Sequence, residues 1–319
     1  MVRGPLFQDD YKPLFSGHET FPLRYGWLKK AFDATAESSE DPHNKRAVFL
    51  ADEAIAKFGV GKNMVASIRH WATSTDVIKE DSSDRIATTQ FGRALFGPRG
   101  HDPYMEHHAT MWLLHWKLCA NPGKTTWFWA FNHFGASTFR REDLLHGLLK
   151  LAAARGWQRV SETTVRRDVE CFLRTYAAPH AASGSVPEDA LESPLAELGL
   201  VRAIGRRDDY QFARGSKPTL PDGVFAFALD EFWRQTGATA TLSFEMVAHE
   251  PGSPGRVFLL DEPGLADRLA NLEERTDGLF RWSETAGLRQ VVRGRERDAR
   301  ESKVMISKAY APQAAELRA

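Results

Sequence analysis

Apolar residues recur every three or four positions along much of the chain. Trp27, Leu28, Ala31 and Phe32 do so, as do Leu144, Leu145, Leu148, Leu149 and Leu151 after Phe139, a spacing that gathers them on one face of an α-helix. Alternating stretches are short and come in pairs joined by polar turns: 77–79 with 85–87, 200–203 with 210–213, and 279–282 with 288–292. Each pair follows a helical stretch. Helix, turn, helix, hairpin is the order of a winged helix, so the pattern predicts a mainly α chain with short β-hairpins, built of tandem winged-helix or helix-turn-helix modules.

The clearest module covers about 46–96. Asp52 to Phe58 reads as a short helix, Gly59-Val60-Gly61 as a turn that glycine eases by accepting positive φ, and Lys62 to Thr73 as a second helix. Met64, Val65, Ile68 and Trp71 share its inner face, which leaves Lys62, Asn63, Arg69, His70 and Thr73 around the others. Such amine, amide and guanidinium groups suit phosphates and base edges; a packing helix would carry the same polar face. A second segment, about 140–176, ends in a helix capped by Ser161 with Val165, Val169, Phe172 and Tyr176 inside. Thr163, Arg166 and Arg167 lie outside or flank that face, suited to a DNA backbone or to ion pairs within the helix. Weaker breaks fall near 36–44 and 97–103, and the Pro, Gly and Ser-rich run 178–188 reads as a linker between a 1–178 domain and a winged-helix-like 187–319 domain.

With 319 residues the chain can bury a substantial core. Lys and Arg number 42 and Asp and Glu 42, so any affinity for nucleic acid must come from local patches. The arginine-rich stretch from Arg293 to Lys303 alternates in sign and reads as an ordinary exposed helix. No run is long and apolar enough to span a membrane, and Met1 to Pro5 lacks the apolar core of a secretion signal, so a soluble cytoplasmic protein with no membrane partner is expected. Cys119 and Cys171 are far apart and read as buried thiols.

Candidate chemistry is sparse. His101, Asp102, Glu106, His107 and His115 are conceivable metal ligands, but their spacing matches no metal motif, and an aromatic core with capping histidines reads better. Neither His115-Trp-Lys nor Glu301-Ser-Lys completes a nuclease signature. Phosphate-loop, dinucleotide and serine-hydrolase motifs are absent from the sequence.

One segment goes further. The run Phe15-Ser-Gly-His-Glu-Thr-Phe-Pro-Leu-Arg-Tyr-Gly-Trp27 resembles the opening signature of domain of unknown function family 4007. Gly59 to Trp71, Phe96-Gly97, Asp102-Pro-Tyr, Trp112 to Trp116, Thr125-Thr-Trp and Phe131-Asn follow in that family's order and span most of the chain. The resemblance implies a part in bacterial DNA phosphorothioation and phage defence, acting on double-stranded DNA beside a cysteine desulfurase, an ATPase and an ATP-pyrophosphatase-like enzyme. It implies a protein that nicks DNA so that sulfur can replace a non-bridging phosphate oxygen. By carry-over, Lys62, Asn63, Arg69 and His70 become DNA contacts, and His18, Glu19 and Arg24 become catalytic candidates, with a divalent metal, magnesium or manganese, as the cofactor such chemistry would use. Glu19 near a helix entry with Phe21 packed inward is the purely structural reading of the same residues. A non-catalytic adaptor that recruits the sulfur-transfer enzymes is the alternative function, and a transcriptional regulator a third.

Overall fold

The computed structural model describes residues 4–38, 46–50, 52–83, 85–177, 193–205, 208–237, 240–285, 287–298 and 300–311. The run 178–188 expected as a linker lies outside them, as does most of the break at 36–44. Helices α1 (Trp27–Ser38), α2 (Asp52–Phe58) and α3 (Lys62–Ser74) precede a hairpin of β1 (Ile78–Glu80) and β2 (Ile86–Thr88). Then come α4 (Gln90–Phe96), α5 (His108–Cys119), α6 (Thr125–Asn132), β3 (Thr138–Arg140), α7 (Arg141–Ala154) and α8 (Glu162–Tyr176). The later part holds β4 (Val201–Ile204), β5 (Asp209–Phe212), α9 (Asp222–Gln235), β6 (Thr241–Ser243), α10 (Phe244–His249), α11 (Pro254–Val257), α12 (Glu262–Ala270) and α13 (Leu272–Arg275). It closes with β7 (Phe280–Thr285), β8 (Leu288–Arg293) and α14 (Glu301–Ala309).

Helix therefore alternates with small antiparallel sheets, and all three expected hairpins form. Two of them gain a third strand, giving the orders β3-β5-β4 and β6-β8-β7. β3 pairs with β5, Phe139 opposite Tyr210, so this sheet joins residues on both sides of 178–188. The stretch from Arg293 to Lys303 departs from the helix expected there. Arg293 closes β8 and the helix begins only at Glu301, because Arg295 bonds Glu301 while Arg297 reaches the buried Asp230.

Local chemistry sets the element ends. Gly59 at φ 66° turns the chain between α2 and α3. Ser161 Oγ accepts from the Thr164 amide at the start of α8, and Thr89, Ser243, Ser253 and Asp261 cap their helices in the same way.

The core is centred on α5, which is buried on nearly every face, so it is apolar all round rather than on one stripe. Its one ammonium, Lys117, lies 5.0 and 5.2 Å from the ring centres of Phe91 and Phe227 and pairs with Asp76 and Glu231. Buried Asn132 bonds the Cys119 and Phe128 carbonyls and accepts from the Gly252 amide, joining α6 to the loop before α11. No helix among the described residues is long and apolar enough to cross a membrane.

Candidate functional site

The segment before α1 makes a tight turn whose backbone is unusual. Gly17, Glu19 and Thr20 have φ of 107°, 47° and 67°. Glycine adopts such values freely, but a β-branched threonine there is an outlier that surrounding structure must enforce. The Phe21 amide bonds the His18 carbonyl at 2.8 Å and the Thr20 amide donates to His18 Nδ1 at 3.0 Å. Because Nδ1 accepts, the proton of the neutral imidazole sits on Nε2, which donates to Asp168 Oδ1 at 2.8 Å. His18 and Asp168 are both buried, 150 residues apart in the chain.

Two helices brace this turn. From α3, Trp71 Nε1 donates to the Phe21 carbonyl at 3.0 Å and the His70 ring stands edge-on to His18 at 5.8 Å between centres. From α8, besides Asp168, Arg174 donates to the Thr20 carbonyl at 3.1 Å and Cys171 Sγ lies 3.4 Å from the Phe21 carbonyl. The approach is close: a Cβ on Gly17 would fall 2.3 Å from His70 Nδ1. Beneath lie Trp127, 6.2 Å from His18 ring to ring, and Lys124 just before α6. Burial pushes the Lys124 ammonium down to about 8 against the pull of Asp168. Burial, aided by Lys124, holds His70 well below the usual imidazole range. The second Asp168 oxygen has no hydrogen-bond partner among the described residues.

The three catalytic candidates separate in character. Glu19 is exposed at the crest of the turn. His18 has both nitrogens engaged, so it positions the turn rather than facing solvent. Arg24 stacks over Phe21 and Trp27 at 5.7 and 5.6 Å, at the entry to α1.

The DNA-contact candidates also divide. Lys62 and Asn63 are exposed on the first turn of α3, and Thr163 and Arg167 are exposed on α8. Arg69 is not on an open face: it is held bidentately by Glu80 of β1 at 2.5 and 2.6 Å. His70 is half-buried against the turn. Arg166 reaches Glu142 at 2.7 Å and Glu162 at 2.8 Å, an ion pair within the α7–α8 unit.

Asp168 and Lys124 do not stand out as site residues in the sequence. The signal for Asp168 was present, since it falls between Val165 and Val169 on the apolar face of α8, where a carboxylate requires a partner. The histidine-rich stretch resolves into core and caps. His115 bonds the Tyr176 hydroxyl and the Val257 carbonyl, each at 2.8 Å; Asp102 accepts from the amides of Glu106 and His107; and His101 stacks on Tyr310 at 4.8 Å. Among the described residues no three His, Cys, Asp or Glu side chains gather where they could hold a metal ion.

A family model described as a protein of unknown function, DUF4007, matches residues 15–310. The chain belongs to that family. The DUF4007 match begins at Phe15, directly before the strained turn, and ends at Tyr310, where His101 stacks. Two solved structures resemble this DUF4007 protein over its length: a magnesium ion-bound SspB, with TM-score 0.78, and a second SspB crystal structure, with TM-score 0.76. Each is 28% identical, and each alignment covers 93% of this chain and 89% of the other. A search of curated proteins found no match.

Proposed function

We propose that this protein is the DNA-handling component of a bacterial DNA phosphorothioation system, an SspB-like protein that grips duplex DNA with winged-helix-like modules and opens its backbone for sulfur insertion. Membership of DUF4007 and the likeness to SspB structures support the system-level reading. The observation that carries the DNA reading is the convergence of α3 and α8 on one strained turn. His18 touches His70 of the first helix and Asp168 of the second, so the exposed groups of both helices belong to one supported unit with Glu19 on its crest.

In this reading Lys62 and Asn63 from α3, and Thr163 and Arg167 from α8, meet phosphates and groove edges, while Arg69 and Arg166 hold their own modules together. Glu19 is the member of the His18, Glu19 and Arg24 set free to accept a proton from an attacking water, and the His18–Asp168 pair keeps it in place. One of the SspB structures is named for bound magnesium. Here the donor set at the turn is poor for a protein-held cation: one oxygen of the buried Asp168 carboxylate is bonded to His18, the positive charge of Lys124 acts on the same carboxylate, and no second buried carboxylate joins it among the described residues. The adaptor reading draws on the same engagement of His18, which leaves the turn's own histidine without a free nitrogen, and it would bring the cysteine desulfurase, ATPase and ATP-pyrophosphatase-like partners to bound DNA.

Binding to a labelled duplex separates working contacts from structural ones. Lys62→Ala and Arg167→Ala should each weaken affinity and lower the slope of log affinity against log salt by about 0.9, the loss of one phosphate contact. Arg69→Ala and Arg166→Ala should leave that slope unchanged. The reverse ranking in anisotropy titrations would show that DNA lies on a different face.

A further inference from the structure

Away from the turn, a second group of cations has no counterpart in the site described above. Arg202 is exposed on β4, opposite Gln211 in the register, and its guanidinium folds over Gly199, where a Cβ would lie 3.8 Å from two of its nitrogens. The chain leaving β5 returns to that strand through the Ala213 amide, which bonds the Leu200 carbonyl at 3.0 Å, and then carries exposed Arg214 and half-buried Lys217. This loop is fastened to the end of α11 by the Gly215 amide on the Leu259 carbonyl at 3.1 Å. Arg256 of α11 thereby joins the group, its Nε spent on the His249 carbonyl at 3.1 Å.

The loop is held under strain. Lys217 and Leu259 have φ of 55° and 52°, and Arg268 clamps the loop through the carbonyls of Ser216 and Lys217 at 3.3 and 2.7 Å. Four cations are thus gathered around this loop, the Lys217 ammonium donating to the Ala213 carbonyl, and among the described residues none of them forms an ion pair with a carboxylate. The acid that acts on Lys217 is Asp261, which already caps α12 through the Gly264 amide. Burial, with Arg202 and Arg214 adding repulsion, pushes the Lys217 ammonium down to about 8, and partial burial of its guanidinium, together with Arg256, lowers Arg214 even though the residue as a whole is exposed.

We propose that Arg202, Arg214, Lys217 and Arg256 form a second phosphate-binding patch that takes the sugar-phosphate backbone of DNA, distinct from the surface at α3 and α8. A group of cations without carboxylate partners is matched by an anion of comparable charge density. Duplex DNA presents one negative charge per ~1.7 Å of axis, enough to meet several cations at once, and the guanidinium fork matches a phosphate in two hydrogen bonds. This rests on the DNA reading above and extends it to the later part of the chain.

The test is a salt series of anisotropy titrations with a fluorescein-labelled duplex, comparing the full-length protein with Arg202→Gln, Arg214→Gln and their combination, and with Lys62→Ala. Neither guanidinium is in an ion pair among the described residues, so thermal unfolding of these variants should match the parent. The combined variant should lose about two units of salt slope, at about 0.9 per contact, and each single variant about half of that. If the arginine variants keep the parent slope and affinity while Lys62→Ala weakens binding, the patch is discarded and the α3 surface stands. The opposite pattern keeps the patch and discards α3 as the contact. A parent protein with no salt-dependent binding to the duplex overturns both.

Discussion

Gly17→Ala should destabilise the protein by about 3 kcal/mol and disable the site with it. Two costs combine. An L-residue in the left-handed region costs about 1–2 kcal/mol, and Gly17 has φ of 107°. The new methyl would also lie 2.3 Å from His70 Nδ1, against a ring packed on His18 and Trp71, and overpacking of that kind adds about 1–3 kcal/mol. Gly59→Ala is the control. Gly59 is also left-handed, at φ 66°, but a Cβ there meets nothing within 4 Å, so only the backbone cost of about 1 kcal/mol applies. Urea unfolding of the two variants measures the difference. Equal losses would mean that His70 does not press on the turn.

Acid should unfold this protein through its histidines. Burial holds His115 down to about 3 and His133 down to about 4, and keeps His70 well below the usual imidazole range. The direction follows from where protons bind. Each of these rings has a lower pKa folded than unfolded, so between its folded value and about 6.5 the unfolded chain holds more protons. Stability therefore rises with pH through that window and is lost as pH falls from about 6.5 toward 4. Each ring contributes a slope of about 1.4 kcal/mol per pH unit. His115 offers the cleanest check because both its nitrogens are bonded, to Tyr176 and Val257. His115→Gln retains a donor and an acceptor without the titration, so its stability should fall less steeply between pH 6.5 and 4 than the parent's. Identical slopes would show that His115 does not carry the effect.

Much of the architecture was legible from local pattern, and much of the site was not, for a physical reason. Helix faces such as Val165, Val169, Phe172 and Tyr176 are encoded within a few residues, and so is the Ser161 cap, so both appear in the sequence and in the structure. Each of the three hairpins was readable because both strands lie within one short stretch. β3 and β6 were not: each is three residues long and is defined by pairing with a strand far along the chain, β5 and β8. The same distance hid the heart of the site. His18 and Glu19 stood out in a run resembling DUF4007, but how the turn is held depends on Asp168, which bonds His18 from another helix. Arg69 and Arg166 looked like open contacts because their carboxylate partners, Glu80 and Glu142, lie on neighbouring elements. Surface polarity is readable from periodicity, whereas whether a surface charge is already spent is a tertiary property.

If the turn carrying Glu19, braced by α3 and α8, acts on DNA, loss of Glu19 should abolish nicking. Incubation of supercoiled plasmid with the parent protein and with Glu19→Ala, in magnesium, manganese or EDTA, tests it most directly when duplex binding is measured on the same samples. Open circles are expected with the parent protein, and their loss in Glu19→Ala at unchanged duplex affinity. Plasmid left supercoiled by a parent protein that binds it would contradict the nicking activity and leave the adaptor.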